Sequence, residues 1–262
     1  MKLDIFNKVD KVVVKAGTSS LTDANSKIDM GKIGKLVSEI MRLKQMGKTP
    51  ILVSSGAIGA GMGKLNISKR PELMRELQAS AAIGQGLLMQ TYEFFFNSYE
   101  QPIAQLLLTK DDFTYPARNR NLKNTLETLL KWDVIPIINE NDSVATDEIK
   151  VGDNDTLAAY VAIGLDADLL IILTDVDGLY KRDENGVMEK EMVGIVEEVT
   201  SEVEGWASKE GKGFGGMYTK VQAAKLLAEE GIPTIVTNCA ESNILVKIFE
   251  EPVGTLFLPR GT

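Results

Sequence analysis

The chain has 262 residues, 44% of them apolar, with 29 Lys+Arg set against 37 Asp+Glu. The acidic balance leaves no electrostatic footprint for nucleic acid, and no apolar run approaches the roughly 20 residues of a membrane span. Histidine is absent and there is one cysteine, which removes Ser-His and Cys-His nucleophilic pairs, histidine metal sites and any intramolecular disulfide framework.

This length fits one large α/β domain or two small ones. The opening "MKLDIFNKVDKVVVKAG" lacks a signal-peptide core with a cleavage site, so its apolar residues read as a first strand over 11–17 and the expected location is the cytoplasm. Apolar spacing at Ile33, Leu36, Val37, Ile40 and Met41 predicts a helix over 29–46, stopped by Gly47. "TPILVSSGAIGAGMG" (49–63) reads as a buried strand, a Ser-Gly turn and a Gly/Ala-rich helix start. A long helix follows Pro71, and within it "YEFFFNSY" (92–99) is an apolar stripe for the core or a subunit interface. A strand at 102–109 and a helix at 119–132 follow, with Arg118, Asn119 and Arg120 as a solvated helix start or an oligomer contact.

"VIPIINEND" (134–142) is a strand running into a polar loop, "DNDTLAAYVAIGL" (153–165) a helix with an acidic entrance, and "ADLLIILTDVDGLY" (167–180) an apolar strand ending in a turn. "GKGFGGMYTK" (211–220) then enters a helix, and "IPTIVTN" and "GTLFLP" close the pattern. Cys239, at a strand end, reads as a buried small apolar residue rather than a nucleophile. Alternating apolar strands and helices predict a three-layer α/β/α sandwich with a mainly parallel central sheet. The chain reads as one unit over 1–262, with two halves meeting near residue 166.

Polar residues gather where strands end: 15–20, 54–56, 139–142 and 174–177. Ligands of open α/β sheets bind beyond the carboxyl ends of the strands, so four such loops point to an active-site edge, although each alone fits a turn. The glycines of 211–216 before a helix suit backbone amides approaching a polyphosphate; a flexible loop capped by a helix is the competing reading. There is no G-x-x-x-x-G-K-[ST]. "GKGFGG" matches G-x-G-x-x-G, but "EVEGWASKE" before it is no apolar strand.

In this order and spacing, "VVVKAGTSSLT", "VSSGAIGAG", "NENDSVATDEIKVGDNDTLAAYVA", "LLTDVDGLY" and "GFGGMYTKVQAA" resemble the amino acid kinase family over nearly the whole chain. They are most similar to its branch acting on glutamate. Many members of that branch carry a C-terminal PUA domain; a chain closing on "LPRGT" resembles the short form.

The resemblance implies phosphoryl transfer from ATP to the γ-carboxylate of L-glutamate, the first step of proline synthesis, with Mg2+ bridging phosphates and no dedicated metal cage in the protein. It implies that Lys15 and Lys220 contact the transferring phosphoryl group and that Asp155 orients both lysines. Ser55, Asp142 and Asn154 match glutamate-binding positions: Asp142 for the α-ammonium, Asn154 and Ser55 as donors to carboxylates. Thr174, Asp175 and the run Phe214, Gly215, Gly216, Met217, Tyr218, Thr219 and Lys220 match nucleotide-binding positions, Phe214 departing from the usual small or hydroxyl residue. On the residues alone, Ser55-Gly56 is equally a turn, Asn141-Asp142 a loop, Asp177-Gly178 a turn, and one of Asp153 and Asn154 a helix cap. The resemblance further implies a homo-oligomer (dimer or tetramer), feedback inhibition by proline and coupling to glutamyl phosphate reductase. The same scaffold also serves kinases of aspartate, N-acetylglutamate, carbamate or UMP, or a sensor without turnover.

Overall fold

A computed structural model describes residues 4–23, 25–144, 154–183, 186–207 and 216–261. After a 3-10 turn at Asp4–Lys8, strand β1 (Lys11–Ala16) is a β-branched run, and its side chains alternate between the sheet's two faces. Helix α1 (Met30–Gln45) starts at the Asp29 cap, whose carboxylate accepts from the Lys32 backbone N–H at 3.1 Å. β2 (Thr49–Val53), α2 (Ala57–Leu65) and α3 (Met74–Asn97) follow, then β3 (Ile103–Leu108), α4 (Lys110–Thr114), α5 (Pro116–Lys131) and β4 (Ile135–Glu140). The second half holds α6 (Asn154–Gly164), β5 (Leu169–Thr174), β6 (Tyr180–Arg182), β7 (Met188–Met192), β8 (Ile195–Val196) and α7 (Ser201–Ala207). It closes with α8 (Met217–Glu229), β9 (Thr234–Asn238), α9 (Ile244–Glu250) and β10 (Thr255–Phe257).

Eight strands form one sheet in the order β3-β4-β2-β1-β5-β9-β10-β8. From β3 through β9 every neighbouring pair is parallel; β10 reverses against β9, and β8 pairs parallel to β10. Val12, Val14 and Ala16 pack with α1, α2, α3 and α9 on one face. Val13 packs with α5, α6, α7 and α8 on the other. By the same alternation Lys15 projects toward the α6/α8 layer. The expected three-layer sandwich is the fold, and the β1–β5 pairing carries the sheet unbroken across residue 166.

Several local expectations change. The helix expected from 119 begins at Pro116, which suits the first helical position because its missing N–H has no partner there anyway. The stripe at 92–99 divides by helical period: Tyr92 and Phe96 are fully buried while Phe94 is exposed. Cys239 is half-buried rather than buried, held at the β9 exit by its N–H donating to Thr174 O. Gly178 is required by close approach rather than by turn geometry: an added Cβ would lie 2.5 Å from Thr255 Oγ1. The β6–β7 hairpin, with exposed "MEKEM", has no apolar alternation to announce it.

One helix contact matters for the site. An added Cβ at Gly61 would lie 1.9 Å from Ser80 O, and one at Gly84 would lie 1.8 Å from Ala57 O. The α2 and α3 backbones therefore touch, which brings the inner side of α3 against the ends of β2 and β4.

Candidate active site

Lys15, Ser54, Ser55, Asn139, Asp142 and Thr174 all sit at the carboxyl ends of β1, β2, β4 and β5, and the first turns of α6 and α8 meet them there. Parallel strands end on one edge, so the topology alone brings together residues more than 200 positions apart. All six are buried, as are Asn154, Asp155 and Lys220.

The centre is Asp155, whose side chain is 1% exposed. Its Oδ1 pairs with Lys15 Nζ at 2.6 Å and its Oδ2 with Lys220 Nζ at 3.1 Å. The Thr219 hydroxyl donates to Oδ2 at 2.6 Å. Burial by itself would raise the Asp155 carboxyl, but the charges of Lys15 and Lys220 and the hydrogen bonds from Lys15 and Thr219 outweigh it and hold it at about 2. The Lys220 ammonium is pulled below its ordinary value, chiefly by burial, with Asp155 opposing and Lys15 adding to the fall. Two ammonium groups meet one carboxylate here in a desolvated place, with the charge of Asp175 also acting on Lys220. Such a cluster suits a bound anion.

The entrance of α8 adds to this cluster. Gly216 caps the helix in extended conformation with no side-chain cap, and its first turn carries no acidic residue. Among the described residues no side chain caps its leading N–H groups, an arrangement that suits an anion. Lys220 is no solvated helix lysine: it is 4% exposed. Of the remaining nucleotide-loop expectations, Met217 packs against the α6/α8 apolar layer and Tyr218 is exposed. Phe214 and Gly215, like Asp153, lie outside the described residues. At the β5 exit, Thr174 Oγ1 donates to Asp175 Oδ1 at 3.2 Å. Asp175 lines a cavity of about 450 Å³ between α1 and the β9 exit, shared with Ser20, Lys35, Glu39 and Asn238. Asp177 accepts from Asn238 Nδ2 at 2.8 Å and serves the turn.

A second cluster lies beside the first. Asn154 Nδ2 donates to Ser55 Oγ at 3.0 Å and to Asn139 Oδ1 at 3.1 Å. Asn139 Oδ1 also accepts the Glu140 N–H at 2.9 Å, while its Nδ2 donates to Gln85 Oε1 on α3 at 2.8 Å. The Ser54 hydroxyl shares a 2.9 Å hydrogen bond with the buried Tyr92 hydroxyl. Gly56, in left-handed conformation at φ +87°, turns the chain from β2 into α2 just beyond Ser55. Among the described residues, Asp142 Oδ1 and Asn154 Oδ1 are buried without a hydrogen-bond partner. Burial pushes the Asp142 carboxyl up to about 7; Glu140 adds to the rise and Arg70 offsets part of it. A buried acceptor in this state is available to a donor from a ligand.

Both N–H donors of Asn154 are used within the protein. What it offers outward is an acceptor. Gln85 and the Tyr92–Ser54 contact were missed altogether. Their one signal is a polar residue within an otherwise apolar helix face, as in "IGQGLL" (83–88).

A buried cationic pair on a sheet edge, an open helix N-terminus and an adjacent polar pocket define a protein that binds a polyanion beside a small polar molecule. Residues 10–238 match the amino acid kinase family, to which the chain belongs. It is 51% identical over 252 residues to a glutamate 5-kinase of Thermoanaerobacter sp. (strain X514), covering 95% of this chain and 68% of that protein. It is 46% identical over 257 residues to one from Clostridium tetani, covering 97% and 96%. A crystal structure of a UMP kinase from Bacillus anthracis superposes with a TM-score of 0.63 at 14% identity, over 96% of each chain, which supports the fold.

Proposed function

We propose that the chain catalyses ATP-dependent phosphorylation of the γ-carboxylate of L-glutamate to L-glutamyl 5-phosphate, opening proline biosynthesis. The observation that carries this reading is the adjacency of Asn154 and Asp155. Successive residues in the first turn of α6 diverge by about 100°. Asp155 turns to the two lysines and Asn154 to the polar pocket, so one helix start joins a phosphoryl site to an acceptor site. The similarity to two glutamate 5-kinases selects the acceptor.

The chemistry needs no general base. A γ-carboxylate is ionised at pH 7, which agrees with a chain that has no histidine. The obstacle is repulsion between that anion and the phosphates, about 4 kcal/mol per pair of unit charges at 4 Å and an effective dielectric of 20. Lys15 and Lys220 neutralise the transferring group, and Asp155 and Thr219 hold both lysines in place before the nucleotide arrives, so little reorganisation remains. Mg2+ would supply further neutralisation of the phosphate charge. Both Asp155 oxygens are occupied by Lys15, Thr219 and Lys220, so the exposed Asp175 is the carboxylate that would help hold the metal. Ser55 and Asp142 hold the α-carboxylate and α-ammonium of glutamate.

Proline carries an ammonium and a carboxylate on neighbouring atoms, as glutamate does, and so fits the same corner as a feedback inhibitor. The exposed Ile83 and Phe94 on α3 suit burial in a homodimer or tetramer. Coupling to glutamyl phosphate reductase follows from the lability of an acyl phosphate, and a cytoplasmic location from its place in biosynthesis. The deciding experiment is ATP- and Mg-dependent hydroxamate formation, with hydroxylamine trapping the acyl phosphate from L-glutamate, L-aspartate or N-acetyl-L-glutamate. Product from glutamate alone is expected; product from another acceptor alone would overturn the assignment.

A further inference from the structure

We propose that Gln85 is a positioning residue that clamps the Asn139 amide in the sense the Glu140 N–H sets, so that the acceptor pocket presents acceptors to a free α-ammonium. The proposal rests on the reading above for the identity of the acceptor. It starts from a donor that cannot be mistaken: the Glu140 backbone N–H bonds one end of the Asn139 amide at 2.9 Å, so that end is the oxygen. The other end is then the NH2, and it donates to Gln85 Oε1 at 2.8 Å. Asn139 Oδ1 faces the Asn154 side chain at 3.1 Å, so the atom meeting it is the Asn154 nitrogen. That same nitrogen gives its second hydrogen to Ser55 Oγ at 3.0 Å.

Three consequences reach the pocket. Asn154 is left with Oδ1 alone, buried and without a partner among the described residues. Ser55 Oγ already accepts from Asn154, so its own hydrogen is free to donate to a substrate carboxylate. Asp142 Oδ1 is a second buried acceptor without a partner at the β4 exit. Two acceptors beside one donor match an α-amino acid with a free ammonium. They disfavour a ligand whose nitrogen is acylated or replaced by hydroxyl, because a buried acceptor would then lose a charge-assisted partner.

Gln85 is held where it can do this by the α2–α3 crossing. Gly84, its immediate neighbour, lets the two backbones touch, and both Gln85 and Asn139 are buried. Without the Gln85 oxygen, the Asn139 NH2 loses its partner in a buried place. The amide is then held at its oxygen end alone, by the Glu140 N–H, and its grip on the Asn154 side chain loosens.

The test compares wild type, Gln85→Leu and Gln85→Glu, the last keeping an acceptor oxygen at the same reach. The acceptors are L-glutamate and 2-hydroxyglutarate, which differ only in ammonium against hydroxyl. Gln85→Leu is expected to raise KM for glutamate about tenfold, with a smaller effect on kcat and on KM for ATP. It should narrow the glutamate-to-hydroxyglutarate ratio of kcat/KM by at least as much, and Gln85→Glu should restore most of that ratio. A Gln85→Leu enzyme that melts as wild type and keeps the wild-type ratio overturns the proposal, as does one that loses rate equally on both acceptors. Should wild type turn over no glutamate, the functional reading fails, and calorimetric titration of the same three proteins with the two ligands still reads the polarity. A wild-type preference for the ammonium ligand that Gln85→Leu erases supports the proposal, and equal affinities overturn it.

Discussion

Two buried aspartates stand at the same sheet edge, and their environments push them in opposite directions. Asp155 has two lysines and a hydroxyl, and its carboxyl is held at about 2. Asp142 has burial, the neighbouring Glu140 and an oxygen with no hydrogen-bond partner among the described residues, and its carboxyl rises to about 7. Burial is the largest influence on both, so the difference is made by partners. The protein supplies Asp155 with its cations in advance and leaves the cation of Asp142 to a ligand. Phosphoryl transfer needs the first arrangement, because lysines must be fixed before charge moves. Selective binding needs the second, since an unsatisfied acceptor rewards only the ligand that completes it.

The widest separation between the two sides should come from removing a lysine. Lys15→Ala or Lys220→Ala is expected to lower kcat about 10³-fold or more, the range for losing a cation that neutralises a transferring phosphoryl group. KM for glutamate should move far less. Steady-state kinetics in both substrates checks this, and a variant that changed only KM would turn the Asp155 side into another binding pocket.

Next in size is the pH response of Asp142. Its folded value lies above the ordinary 3.8, so ionising it works against the fold. Stability is fully present below about pH 4 and is lost as pH rises through about 7. Asp142→Asn should therefore match wild type near pH 4 and exceed it at pH 8 by roughly 4 kcal/mol at 1.36 kcal/mol per pKa unit. The same substitution should sharply raise KM for glutamate, a site trading stability for function. In wild type, KM for glutamate should rise as pH falls below 7, because a protonated Asp142 cannot pair with an ammonium. Denaturant melts at the two pH values and a KM profile decide both points.

A smaller effect tests the scaffold that the two clusters share. Gly84→Ala places a Cβ 1.8 Å from Ala57 O, and backbone atoms have no rotamer by which to escape. A loss of about 1–3 kcal/mol is expected, or a few degrees of Tm per kcal/mol for a chain of this size. KM for glutamate should rise with it, because Gln85 moves with Gly84, while the Lys15–Asp155 side is insulated on the opposite face of β1.

The sheet, its helical cover and the active-site edge were legible because apolar runs and loop chemistry are local signals. "KVVVKA" reads as a strand in any context, and the lysine at its end is placed by strand geometry. The pairing of Asp155 with both lysines was reached through the family resemblance and is formed by parallel topology, which no single segment contains. The hydrogen-bond sense of Asn154 was not legible. An asparagine has both donors and acceptors, and which side faces the ligand depends on Asn139 and Gln85, 15 and 69 positions earlier. The reversed β10 was also hidden, since a short apolar strand reads the same in either direction.

The smallest effect isolates burial itself. Lys123 and Asp166 form a pair at 2.7 Å, as close as Lys15 and Asp155 at 2.6 Å, but their side chains are 39% and 77% exposed against 7% and 1%. The Lys123 hydrogen bond does lower the Asp166 carboxyl. Yet water solvates both ions when the pair opens, and salt screens them when it is closed. Lys123→Ala should therefore cost less than about 1 kcal/mol, shrinking further in high salt. Asp155→Ala should cost about 3–5 kcal/mol, because it strands two buried ammonium groups. Equal losses in the two variants would mean that distance, rather than desolvation, sets the strength of these pairs. The buried Lys15 and Lys220 would then have no special claim on an anion.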